Sequence, residues 1–190
     1  IMKTKEIILY FIILVLAITL MWQWVSKGDL LRANNEFQFY NNQLHLLSGI
    51  GELRSTHQHA DVKVYINDDL IDFSEKKYQI TTSFIHFEEG LGDVIHTHAT
   101  GLTLGHMFNS LNMNFTGDCI ILEETSYCND GDKKLKFFVN GKLNKEFDNK
   151  VIGDLDKYLI SYGDESEAEI QKQLDSLTNL AIDYSAGRYS

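Results

Sequence analysis

The stretch His57-Gln58-His59-Ala60-Asp61-Val62-Lys63-Val64-Tyr65-Ile66-Asn67-Asp68-Asp69-Leu70-Ile71-Asp72-Phe73 reads as a strand, a tight turn and a returning strand. Ala60, Val62, Val64 and Ile66 alternate with His59, Asp61, Lys63 and Tyr65. That period of two marks a strand with one face in a core. Asn67-Asp68 supplies residues that accept the backbone of a two-residue turn. The apolar set defines the core face. His57, His59, Asp61 and Lys63 share the opposite, polar face.

Two further hairpins follow the same logic. Phe84 to Glu88 and Asp93 to Ala99 flank a turn at Glu89-Gly90-Leu91-Gly92, and Leu135 to Val139 turns at Asn140-Gly141 into Leu143 to Phe147. Between them, Thr103 is placed to cap a short helix with Leu104, Met107, Phe108 and Leu111 on one face. Tyr158 to Tyr162 forms the last strand, and Asp164 is placed to start a C-terminal helix over 164–184, with Ile170, Leu174, Leu177 and Ala181 inward. The expected fold is α+β: a β-rich domain of hairpins with one internal helix and a C-terminal helix.

Upstream the chain changes character. Ile7 to Val25 is almost wholly apolar, 19 residues that just span a hydrocarbon core. Trp22 and Trp24 suit the membrane interface. No small-x-small cleavage site follows, so the run reads as a retained anchor rather than a signal peptide. The expected divisions are a transmembrane anchor over 1–25, a juxtamembrane stalk over 26–56 with short helical pieces, and an extracytoplasmic domain over 57–190.

Lysines and arginine flank the span on both sides, so charge alone does not orient it. Cys119 and Cys128, the only two cysteines, suit a disulfide in an oxidising compartment. Asn114-Phe115-Thr116 is an acceptor pattern for glycosylation at Asn114. Both place the domain outside the cytoplasm, on a single-pass membrane protein in contact with lipid. The formal net charge of -10 excludes nucleic acid as a partner, since phosphate binding needs a basic surface.

The chemistry concentrates in histidine. His57 and His59 form one His-x-His, His96 and His98 another, and His86 shares a strand face with Glu88. Residues i and i+2 of a strand point the same way. If the three strands are neighbours, five imidazoles converge, enough for a copper or zinc site. Asp61 is a candidate to orient an imidazole from behind. Surface strands also carry histidine simply as a polar residue, so a hydrogen-bonded cluster and a pH-responsive one stand beside the metal site. His106 falls in the first turn of the internal helix, where capping or packing is the expected role, and His45 is incidental.

The segments HQHADVKVYINDDLIDFSEKKYQ (57–79), GDVIHTHATGLTLG (92–105) and DLDKYLISYGDESEAEIQKQL (154–174) resemble a family of small membrane-anchored extracytoplasmic archaeal proteins of the ammonia-oxidiser type. Its members are sometimes labelled protein-disulfide isomerase. The resemblance implies the outer face of an archaeal membrane, in organisms that depend on copper. The isomerase label needs a Cys-x-x-Cys motif, which this chain lacks. The segment TGLTLGHMFNSLNM (100–113) followed by hairpins is also similar to β-grasp modules.

The leading expectation is a non-enzymatic, membrane-anchored metal-binding domain, copper first and zinc second, acting as an accessory subunit of a larger membrane complex. A structural subunit that packs on membrane-protein partners without metal is the second. A metalloenzyme with an open coordination position, using Asp61 or Glu88 as acid or base, is the third.

Overall fold

The computed structural model describes residues 3–187 and is α+β. Its contacts divide the chain into two units, one ending at Ser48 and the other starting at Gly49.

The first unit is a single helix, α1, Thr4–Ser48. One window of it is long and apolar enough to cross a membrane. The short helical pieces expected in the stalk over 26–56 are instead, as far as Ser48, one uninterrupted continuation of the span. Nothing in that stretch breaks a helix: it has no proline and a single glycine, Gly28. The helix stops where Gly49 takes a φ of 71°, the left-handed conformation that commonly terminates helices.

The second unit is built on a mixed sheet. Strand β1, Gln58–Ile66, lies at its centre. It turns through Asn67 and Asp68, both at positive φ, into β2, Asp69–Leu70. Strands β3, Ile85–His86, and β4, Val94–Thr97, form the next hairpin. Helix α2, Leu104–Ser110, is capped by Thr103, whose side chain accepts from the His106 N–H while His106 Nδ1 accepts from the Thr103 N–H. His106 is thus a capping residue.

Strands β5, Asn114–Phe115, β6, Cys119–Leu122, and β7, Thr125–Cys128, form a small second sheet. A Cys119–Cys128 disulfide joins β6 to β7 where the two cysteines face each other. Asn114 is exposed on β5. The hairpin of β8, Lys134–Val139, and β9, Lys142–Leu143, and the strand β10, Lys157–Gly163, complete the main sheet. Its order is β3-β4-β1-β10-β8-β9, with β2 on the far end of β1. β1 runs antiparallel to β4 and parallel to β10.

One face of this sheet carries the main core. Val62, Val64, Ile95, Phe137, Tyr158 and Ile160 pack there with Leu104, Met107 and Phe108 of α2. The apolar alternation of β1 and the stripe of α2 therefore meet, as their spacing requires.

The other face departs from expectation. The polar side of β1 is not a surface: His59 is 5% exposed and Asp61 0%. The C-terminal segment covers it. That segment is not one helix over 164–184 but two, α3, Glu167–Asp175, and α4, Leu180–Ser185. Ser166, not Asp164, caps α3, in a reciprocal capping box with Glu169. The break falls at Ser176, Leu177, Thr178 and Asn179, mostly poor helix formers whose side chains compete for backbone partners. It re-aims the chain so that α4 lies over β1 and β4, where Ala181 and Tyr184 pack on Val94.

Candidate metal centre

Strand register brings the histidines together. His59 of β1 pairs with His96 of β4, and His96 pairs with His86 of β3. These three form a row across neighbouring strands. His57 and His98, two residues along on the same faces, form a second row beyond it. Ring centroids stand 4.8 Å apart for His57–His59, 4.7 Å for His59–His96, 4.7 Å for His57–His98 and 5.0 Å for His86–His98.

Ligand atoms of His57, His59 and His96 all lie within 4.8 Å of one another. Around a tetrahedral ion with metal–nitrogen bonds of about 2.0–2.1 Å, nitrogens sit roughly 3.4 Å apart. Closing that difference takes ring rotation, which the exposed His57 is free to make. The described cluster is therefore able to hold a metal ion.

His96 sits in the middle of the first row. It is 0% exposed, and neither ring nitrogen makes an aligned hydrogen bond. Tyr184 from α4 meets it edge-on, centroids 4.6 Å apart. Burial first, then the four neighbouring imidazoles, push its pKa down to about 3. At neutral pH it is uncharged, so its 3.1 Å approach to Glu88 Oε1 is a dipolar contact rather than an ion pair. Burial and His57 lower the pKa of His59 too, and burial with His57 and His86 lowers that of His98. Metal binding needs such neutral imidazoles.

The other partners set ring orientation. Ser185 Oγ lies 2.9 Å from His59 Nδ1. Thr82 O lies 2.7 Å from His86 Nδ1, and since a carbonyl only accepts, Nδ1 carries the proton. Histidines that bind metal commonly have their second nitrogen held in this way. Sequence reading did not find Thr82, Tyr184 or Ser185. Each lies in a loop or a short helix, and none forms a motif.

Asp61, expected behind an imidazole, does something else. Its Oδ1 accepts from the Thr178 hydroxyl, from Leu180 N–H at 3.0 Å and from Ala181 N–H at 3.4 Å. It faces the start of α4, where unpaired N–H groups and the helix dipole favour an anion. Asp61 therefore fastens the segment that covers His59 and His96. Asp61→Ala is expected to destabilise the domain by about 3 kcal/mol, the scale of removing a buried charged acceptor. Amide hydrogen exchange should accelerate in α4 before it does in β1. Unchanged exchange in α4 would show that its apolar contacts alone hold it.

No family model matches the chain, and no curated protein or solved structure is significantly similar to it. Fold and site together define a class: an α+β domain that carries a covered histidine cluster and follows an apolar helix of membrane-spanning length.

Proposed function

We propose that this chain is a membrane-anchored, extracytoplasmic metal-binding protein that holds copper or zinc at His57, His59 and His96. The observation that carries the reading is His96. A buried imidazole without an aligned hydrogen bond costs about 1–3 kcal/mol, and this one has a ligand atom within 4.8 Å of those of His57 and His59. A bound cation would satisfy it. The affinity order of divalent ions favours copper over zinc for imidazole ligands.

The disulfide and the exposed Asn114 support an extracytoplasmic setting for the domain. Beyond the span, α1 exposes Leu30, Leu31, Phe37, Tyr40 and Leu44, a surface suited to partner membrane subunits. On this reading the protein buffers or delivers metal as an accessory subunit and performs no chemistry of its own.

Equilibrium dialysis of the metal-free chain against zinc, and separately copper, tests it. Protons compete with metal for imidazole, so binding at pH 4.5 should be weaker than at pH 7.5 by on the order of tenfold or more. Equal retention at both pH values would count against histidine ligation.

A further inference from the structure

His86, His98 and Glu88 lie beside the trio of His57, His59 and His96. A tetrahedral ion takes four protein ligands at most, yet five imidazoles converge. The excess is ordered. His86 is 6% exposed, and Thr82 O fixes its proton on Nδ1. In the neutral ring Nε2 is then a lone pair. It stands 3.3 Å from Glu88 Oε2, which in a carboxylate is also only an acceptor. A contact of this kind needs something positive between the two atoms, either a proton on Nε2 or a shared cation.

The other carboxylate oxygen repeats the pattern. Glu88 Oε1 is 3.1 Å from His96 Nδ1, without an aligned hydrogen bond. One carboxylate therefore spans two imidazoles, one of which belongs to the trio. A separation near 3.3 Å also matches the ~3.4 Å expected between ligand atoms sharing one ion.

His98 lies on the other side of His86, ring centroids 5.0 Å apart. Between His86, Glu88, His98, Arg54 and Ile80 opens a cleft of about 330 Å³, which gives solvent access to this side of the cluster.

We infer that the cluster holds two metal ions, the second bound by His86 Nε2, Glu88 and His98 at the mouth of this cleft, with the Glu88 carboxylate reaching toward both ions. The inference rests on the metal-binding reading above. The cleft leaves the second ion a position for water or exchange, whereas α4 covers His59 and His96 of the first site. The competing arrangement is a protonated His86 paired with Glu88 and no second ion.

Native mass spectrometry of the full chain in detergent, stripped of metal and titrated with zinc at pH 7.5, separates these. Two bound ions per chain are expected for the natural sequence and one for His86→Ala/His98→Ala. The milder Glu88→Gln, which keeps size and shape, is expected to hold one as well. One ion in the natural sequence overturns the second site and leaves the first standing. No ion at all overturns both. Two ions in either variant, or none in Glu88→Gln, also overturns the second site.

Discussion

His96→Leu is expected to stabilise the metal-free protein by about 1–3 kcal/mol while abolishing binding at the His57, His59 and His96 site, because it removes a buried polar group that makes no aligned hydrogen bond. The side chain is wholly enclosed, and neither ring nitrogen makes an aligned hydrogen bond. Leucine has a similar volume and would face the Tyr184 ring. Large gains from a single substitution are uncommon. They arise where a site has kept a group that folding alone would not retain. Urea unfolding of both proteins without metal gives the difference directly. Loss of stability in His96→Leu would mean that the imidazole serves the fold, and would remove the main reason to assign it to a ligand.

Metal-free protein is also expected to lose stability as the pH falls from 6.5 toward 3. His59, His96 and His98 all titrate below an ordinary histidine in the folded chain, His96 at about 3. Unfolded histidine titrates near 6.5. Above that pH both states are neutral and nothing is lost. Below it the unfolded chain binds protons that the folded chain refuses, so stability declines until His96 itself accepts one near 3.

Asp72, Glu123 and Glu169 have pKa values held down by hydrogen bonds, and their share is lost only near the carboxylate range. Asp93, raised by burial, acts in the opposite sense there. The interval from pH 6.5 to 5 thus reports mainly the histidines. Thermal midpoints across it should fall for the natural sequence and fall less for His96→Leu. A flat profile in both would show that the cluster is solvated enough to take protons freely.

Much of this architecture follows from local pattern. The alternation from Ala60 to Ile66 set which face of β1 enters the core, and Asn67-Asp68 and Asn140-Gly141 marked hairpins whose turn residues do take positive φ. Thr103 and the stripe of Leu104, Met107 and Phe108 marked α2. The adjacency of the histidine strands was less legible. The hairpin of β3 and β4 carries a turn signal, but the pairing of β4 with β1 is non-local and has no local signature.

The parallel union of β1 with β10 is equally silent, since the two strands are separated by most of the domain. The cover over the histidines was hidden for another reason. Helical periodicity ran through 164–184; the poor helix formers at 176–179 permit a break, and the buried Asp61 carboxylate, far away in sequence, fixes where the chain restarts as α4. A polar residue on an alternating strand reads as exposed, and here the tertiary fold overrides that reading.

The most direct test is elemental mass spectrometry on the full chain, purified in detergent without chelator or a histidine tag, beside His57→Ala/His59→Ala. Stoichiometric copper or zinc in the natural sequence, with the ion of the His57, His59 and His96 site lost in the double variant, is the predicted result and names the ion. A chain that carries no stoichiometric metal, even after reconstitution with both ions, would contradict the metal-binding account.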